Sequence, residues 1–478
     1  MPDFNANNTF LERPGNFKVT DIHIIPYHRE GRDEGLYRQI ITDQVLGFNI
    51  YESMTSHFLS GDMTIIDGVN LINMLPLTGF ERLEFKLYTP GEDRGYDFSV
   101  LSGHPMIITG IKNKIMVKDR IQSYVLTFCS KERVMNDLTK VTSSYTGTTD
   151  EAIVNICRDH LDTKKNIIVE ETKTVAKYVA PRCKPTRAIK DISKLSESKN
   201  FDNAGYNFYE TGLGFHYKTL ESMFCDESGN ARPVRARYSP KIVAYRDYKG
   251  DRDILNSLQS VSKFKVKSQF DTLRNLNFGT FASKTITHDS FNKTFKTETF
   301  DYHKNYEKQN HLEEGEDGIV VPFFNFARGK TISDYPDTVV HFESDTDKVH
   351  NDYDYLGRSA NEGKRISQKI ALSSIVLEIT VPGFTGISIG EVVHFTHPSF
   401  KEVKSASDKD NDPRLSGRYL VVNIKHTVSL KLSKDHVMTV ELVKDSFNQP
   451  LPEDNIDLFT GQENEEGSSY SQYRIDKA

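Results

Sequence analysis

Asp408-Lys409-Asp410-Asn411-Asp412 has the alternating oxygen donors that open a calcium loop. Two positions spoil the match. Pro413 stands where such a loop needs glycine for its sharp turn, and Tyr419 stands where the bidentate glutamate belongs. The run reads as a polar surface loop. His394-Phe395-Thr396-His397 offers two imidazoles, but an offset of three in a strand sends them to opposite faces, and no third ligand is near. Ser196-Glu197-Ser198-Lys199 and Ser260-Val261-Ser262-Lys263 have the spacing that sets a hydroxyl nucleophile beside a lysine base, yet the partner motifs of that chemistry are missing. Gly212-Leu213-Gly214 lacks the further glycine of a dinucleotide loop and opens a strand rather than a helix. No nucleophile elbow, zinc-protease or phosphate-loop pattern occurs. Asp and Glu together number 67, which offers many carboxylate pairs for glycoside cleavage, and spacing singles out none. The expectation is a chain with no catalytic residue, no metal site and no cofactor.

Cys129, Cys157, Cys183 and Cys225 are scattered without a close pair, which excludes zinc and thioredoxin spacings and suits reduced, buried thiols. The 478 residues exceed one compact core, and length alone suggests roughly three domains. Hydrophobic residues make up only 37%, but 29 Phe and 22 Tyr supply large buried surfaces in the absence of Trp. The net charge of −6 argues against sequence-independent binding to phosphate backbones. No signal peptide is evident in the polar first residues, and no apolar run is long enough to cross a bilayer, so membrane insertion is not expected.

The elements that would position any site are mostly strands. Residues 1–16 read as a flexible polar arm ending at Pro14-Gly15. From Phe17 to about Ser130 short apolar runs alternate with Gly, Pro and Asp turns, the pattern of a small barrel or sandwich. Within it Leu71–Leu75 reads as a helical turn. From Lys131 to about residue 204 the period becomes helical. Thr149-Asp150 caps one helix carrying Ile153, Ile156, Cys157 and His160, and Pro185-Thr186 precedes another carrying Ala188, Ile189, Ile192 and Leu195.

Asn207–Phe224 then reads as a β-hairpin turning at Gly212 and Gly214 between aromatic flanks. Lys241–Tyr245 reads as a further strand. Residues 251–368 are mixed, with a helix expected from Asp253, a polar strand candidate at Thr285-Ile286-Thr287, acidic loops at 312–318 and 344–354, and a helix over 365–372. A strong antiparallel β block follows: Ile375–Val381 closed by Pro382-Gly383, Gly390–Phe395, Gly417–Ile424 and Val437–Leu442. Residues 448–478 are acidic and poor in apolar groups, and Tyr470, Tyr473 and Ile475 are candidates for ordering on a partner.

The last β block, the run from Met54 to Ile66, Pro185–Ile189, the aromatic hairpin and Phe270–Leu273 occur in an order that resembles the baseplate hub proteins of contractile-tailed bacteriophages. In that likeness Gly212, Gly214, Pro382, Gly383, Gly390, Gly417 and Tyr419 are the candidate fold-defining motif. The resemblance covers nearly the whole chain. It implies a mainly β protein with α+β insertions and two similar small β-barrel tube domains, the first at 17–130 and the second split between 205–250 and 369–447. Intervening domains would lie at 131–204 and 251–368. It further implies a homotrimer whose six tube domains form a pseudo-hexameric ring, joining a six-fold tail tube to a three-fold central spike among other baseplate proteins. Such a protein sits in the virion tail and assembles in the host cytoplasm. DNA would pass through the ring without specific binding, helped by an acidic bore. The other readings are a different tail or wedge component, and a hub platform carrying a cell-wall hydrolase.

Overall fold

A computed structural model describes residues 11, 13–26, 38–75, 77–240, 257–290, 292–306, 308–313, 329–345, 357–398, 411–412 and 414–446. The fold is mainly β, with helices in the connecting segments. Its frame is one large sheet of fourteen strands. The first half of that sheet comes from the amino-terminal part of the chain. Val45–Ser53 pairs with Ser60–Asp67, which pairs with Ile121–Ser130, which pairs in turn with the long strand Met106–Lys118. The second half comes from the carboxyl-terminal block: Ile375–Pro382 pairs with His436–Lys444, which pairs with Gly417–Ser429, which pairs with Val392–Phe395.

Each strand has one apolar phase, and that phase is what each half buries. In Val45–Ser53 the inward positions are Val45, Phe48, Ile50 and Glu52. In His436–Lys444 they begin His436, Met438, Val440 and Leu442. The first half closes over Ile24, Phe48, Met63, Phe85, Leu126 and Phe128, among others. The second closes over Ile375, Leu377, Ile379, Tyr419, Leu420 and Leu442 with their neighbours.

The two halves are not separate sheets. Gly417–Ser429 reaches past its own half and pairs antiparallel with Val45–Ser53, from Asn423 opposite Ser53 to Ser429 opposite Gly47. Thirteen residues give this strand enough length to serve both halves. The strand order is open at its ends, so among the described residues no ring of paired strands closes on itself, and the compact closed barrels expected from the sequence are replaced by two halves of a continuous sheet. The physical reason is that Val45–Ser53 spends an edge on the far half of the chain rather than on its own.

The helical segment carries a third core. The helices Thr149–His160 and Pro185–Ser193 pack Ile153, Ile156, Ala188, Ile189 and Ile192 against Phe208, Phe215 and Tyr217. The aromatic hairpin, Tyr206–Thr211 and Gly214–Thr219, therefore faces these helices, and its second strand pairs in parallel with Ile167–Val169. A separate three-stranded sheet, Ala282–Asp289, Thr294–Asp301 and Val340–Asp345, packs under the helix Gly357–Leu372. The polar strand candidate at Thr285–Thr287 thus extends to eight residues, because the alternating buried positions Ser283 and Thr285 pack although they are not apolar.

Other local expectations meet the structure at particular residues. Leu71–Met74 is a short helix. Val261 lies in a strand, not in a helix. Leu312 and Glu313, the start of the expected acidic loop, are buried, because Asp445 and Ser446 receive their backbone N–H groups. The strand expected at Lys241–Tyr245, the calcium-like run 408–410 and the candidates Tyr470, Tyr473 and Ile475 lie outside the described residues. Among the described residues no helix is long and apolar enough to cross a membrane.

Candidate functional site: the seam between the sheet halves

The seam is lined by a row of buried polar groups. Glu52 occupies the inward phase of its strand and is 1% exposed. Its Oε1 accepts from the Tyr96 hydroxyl at 2.9 Å and from the Gly212 N–H at 3.1 Å, and its Oε2 accepts from the Ile389 N–H at 3.2 Å. Tyr96 Oη also lies 2.9 Å from His426 Nε2, and His426 Nδ1 lies 2.9 Å from His436 Nε2.

The bond to Glu52 uses the only hydroxyl proton, so His426 Nε2 donates to Tyr96 and His436 Nε2 donates to His426 Nδ1. Tyr96, His426 and His436 then all point their donors toward the carboxylate. Burial drives both histidines toward the neutral form: His426 falls well below the ordinary range, with His436 adding to the effect, and His436 falls to about 3. Burial also lifts Glu52 to about 7, against the three donors that favour its charge.

The candidate glycines stand around this row, where backbone must come close. A Cβ at Gly383 would lie 2.0 Å from the His436 ring, and one at Gly390 would lie 2.2 Å from Tyr209 Oη. A Cβ at Gly212 would press on the Tyr96 ring at 3.2 Å. Gly214, Gly390 and Gly417 also hold φ values of 125°, 81° and 130°, which side chains rarely adopt. Gly383 donates its N–H to the His436 carbonyl, which continues the pairing of Pro382 with Val437. Arg13–Asn16, the end of the expected arm, joins the same place: the Gly15 carbonyl accepts from the His436 N–H and Arg13 reaches the Lys434 carbonyl.

Gly417 and Tyr419 sit at the other end of the long strand, beside a buried Lys444. The Lys444 ammonium donates to the Ser416 carbonyl at 2.8 Å and approaches Glu313 Oε1 at 3.3 Å, with the Tyr419 ring 5.4 Å away. Gly417 and Tyr419 thus begin the long strand, Gly390 donates its N–H to the Val421 carbonyl of that strand, Gly383 lies near its far end beside His436, and Gly214 stands apart against Asn166.

A second polar centre fixes the hairpin to the first half. Lys165, 1% exposed, donates to Glu132 Oε2 at 2.7 Å and to Glu210 Oε1 at 2.5 Å. Glu210 Oε2 accepts from the Leu59 N–H and from Ser130 Oγ. Burial works against the lysine charge, but Glu210 and then Glu132 outweigh it and hold the ammonium protonated.

Ser196, the first of the lysine-spaced serines, is buried, bonds the Ile192 carbonyl and accepts from Tyr217, while Lys199 is tied to Glu171. Ser260 bonds the Ser257 carbonyl. His397 is buried with its N–H on Ser416 Oγ. Cys129, Cys157 and Cys225 are buried and free, and burial raises their thiols to about 11, 12 and 11. Among the described residues no group of three potential ligands is placed to hold a metal ion.

The sequence did carry a signal for the seam residues. Glu52, His426 and His436 each fall in the inward phase of an otherwise apolar strand, where an unpartnered polar group would be costly.

Comparison with solved structures places the fold. A tail protein from Neisseria meningitidis aligns over 90% of this chain and 97% of its own, at 12% identity and a TM-score of 0.50. The chain has the fold of that tail protein. The 43 kDa tail protein of prophage MuSo2 from Shewanella oneidensis aligns over 89% of this chain and 98% of its own, at 9% identity and a TM-score of 0.49. The prophage tail protein gp18 from Listeria monocytogenes covers 89% and 94%, at 10% identity and a TM-score of 0.44. No family model and no curated protein matches the sequence. Within this tail-protein fold, the Glu52–His436 row lies where the two sheet halves meet.

Proposed function

We propose that the chain is the hub of a contractile phage-tail baseplate, a structural and non-enzymatic protein. Three copies form a ring in which each contributes two tube modules, so that a three-fold object presents six similar units. One face of the ring meets the tail tube and the other the central spike, with other baseplate proteins around it. The protein belongs to the virion tail and assembles in the host cytoplasm. The modules are built around the two sheet halves, the first within 17–130 and the second within 205–250 and 369–447, with 131–204 and 251–368 as the intervening domains; the hairpin at 206–219 borders the second module and keeps its own sheet. Tyr470, Tyr473 and Ile475 would order on a partner in the assembled tail.

One observation carries this reading. A single chain holds two sheet halves, each with its own core, fused edge to edge along Val45–Ser53 and Gly417–Ser429. That fusion consumes strand edges that would otherwise pair at random and fixes the two modules at a set angle. The tail-protein fold of the Neisseria chain, shared over almost the full length of both, supports it.

DNA passes through the ring without sequence-specific contact. The formal charge of −6 is concentrated in residues 448–478, which hold seven carboxylates and two cations, so the body of the ring is close to neutral. Weak interaction with phosphate then follows from balance in the body, with the acidic stretches available as a repulsive collar.

Solution mass and a low-resolution image test the proposal. Trimers with two like modules per subunit around a channel are expected. A monomer at assembly concentrations, or a ring of another order, would remove the hub reading and leave a wedge or other tail component. Clearing of peptidoglycan by the purified protein would favour the hydrolase-bearing platform instead.

A further inference from the structure

Strand Arg237–Pro240 pairs with Val392–Phe395, which pairs with the start of Gly417–Ser429. The register sets Arg237 opposite His394 and His394 opposite Arg418. Cross-strand partners share one face of a sheet, and Tyr238, Phe395 and Tyr419, one position on, are buried. Arg237, His394 and Arg418 therefore form a row across three strands on the outer face. Arg232 is exposed beside it, and its carbonyl accepts from Arg418 Nη2 at 2.7 Å.

The row is short of negative charge. Among the described residues none of the three arginines makes an ion pair, and Arg418 Nε is buried without a hydrogen-bond partner. The Glu313 carboxylate comes close but is taken by Lys444 and by the Arg418 backbone N–H. Burial, and then the Arg237 charge, hold the His394 imidazole below its ordinary range.

The chain leaves its body at this row. Leu420 pairs with Val443 in antiparallel register, so Asp445 and Ser446 run past Arg418. Glu313 touches both: its N–H donates to Ser446 Oγ at 3.0 Å and its carboxylate accepts from the Arg418 N–H. The next carboxylates along the chain are Glu453, Asp454 and Asp457, and no Lys, Arg or His lies between Lys444 and Arg474. We propose that this acidic stretch docks on the Arg418–His394–Arg237 row of its own chain, with its carboxylates on the guanidinium groups.

Reach allows the contact with slack. From Ser446 to Arg237 the path crosses three strand spacings, ~14 Å at ~4.8 Å each. Glu453 extends up to ~23 Å from Ser446. Arginine–carboxylate contacts are charge-assisted and can be bidentate, and attachment to the same chain raises their effective concentration. The docked stretch covers cations that would otherwise attract phosphate groups. The contact lies within one chain, so it does not depend on the ring.

The experiment uses the full chain carrying Ser239→Cys, two positions from Arg237 on the same face, together with Asn455→Cys. Mild oxidation should close an intrachain disulfide ~10-fold faster at low salt than in a chain that also carries Glu453→Gln, Asp454→Asn and Asp457→Asn, and the difference should shrink at high salt. Arg237→Gln, an exposed substitution, should slow closure as well. NMR should place the His394 titration higher in the full chain than in the neutralised one, because nearby carboxylates favour the imidazolium. A chain ending at residue 447 should bind inorganic phosphate and short duplex DNA more tightly than the full chain at low salt.

Equal closure rates in the charged and neutralised chains would overturn the proposal. So would closure slowed only by Glu314→Gln, Glu316→Gln and Asp317→Asn, which would give the row to those residues instead. Disulfides formed mainly between differently tagged chains at high dilution would give it to another copy. Full and shortened chains that bind phosphate and DNA alike would show the row uncovered. None of these outcomes touches the ring reading, which solution mass decides separately.

Discussion

The Tyr96 hydroxyl and His426 Nε2 lie 2.9 Å apart, although 330 positions separate them in the chain. This contact joins the short strand Gly95–Asp97, whose Tyr96 packs in the first core, to the strand that serves both halves, and it sits inside a row where every donor points toward Glu52. Tyr96→Phe removes the central hydroxyl and leaves Glu52 short of one donor and His426 without its acceptor. The expected loss is ~1–3 kcal/mol for each buried group left unpaired. Denaturant titration measures it, and an unchanged midpoint would show that the row does not hold the seam.

Glu52 gives the seam a pH dependence of defined sign. Its carboxyl is raised from 4.5 to about 7 in the folded chain. The folded state then binds more protons than the unfolded state between these values, so stability is complete below the unfolded value and falls as pH rises through about 7. Wild type should lose stability between pH 5 and pH 8 relative to Glu52→Gln, which has no proton to lose. Parallel stability curves for the two proteins would refute the assignment.

His311 and Asp445 form a buried ion pair at 3.0 Å whose pH dependence has two limbs. Burial opposes charge on the imidazole, but the Asp445 bond and charge prevail and raise it above 6.5. Burial likewise opposes the carboxylate, and the His311 bond with the Ser446 and Leu312 donors lowers it below 3.8. The imidazole contribution is fully present below its unfolded value and is lost as pH rises through the raised one. The carboxylate contribution is present above its unfolded value and is lost as pH falls through the lowered one. Asp445→Asn should flatten both limbs in thermal melts, and an NMR titration of His311 should shift downward in the variant.

Lys165 joins two buried carboxylates, so its removal differs from that of a surface cation. Lys165→Met leaves Glu132 and Glu210 without their counter-ion and should cost ~3–5 kcal/mol. Lys165→Met combined with Glu132→Gln and Glu210→Gln should recover part of that loss, since no uncompensated charge remains. Chemical unfolding of the two variants makes the comparison, and equal stabilities would show that charge is not the source of the loss.

Gly383→Ala should be severe for a steric reason, with the new methyl 2.0 Å from the His436 ring. Overpacking of this kind costs ~1–3 kcal/mol. His436→Ala should cost stability alone yet offset part of the Gly383→Ala loss, giving a non-additive double-mutant cycle. An additive cycle would show that the two residues do not share that space.

The strands, the two helices at 149–160 and 185–193 and the aromatic hairpin were legible because each rests on a local period or turn. Gly214, Gly390 and Gly417 stood out for the same reason: a turn needs a residue that tolerates positive φ, and the sequence supplies it in place. The polar strand at 282–289 was harder to see, since its buried face carries Ser283 and Thr285 where a period of apolar residues would have marked it.

Alternation by itself determined that this chain is mainly β, and which side chains of each strand turn inward, because side-chain direction follows the pleat of one strand. Only the tertiary structure decided that Gly417–Ser429 pairs with Val45–Ser53, and hence that Glu52, Tyr96, His426 and His436 form one row. Backbone hydrogen bonds between strands are nearly identical whatever the sequence, so partner choice is set by which cores close together. That closure depends on residues hundreds of positions apart, and no local period records it.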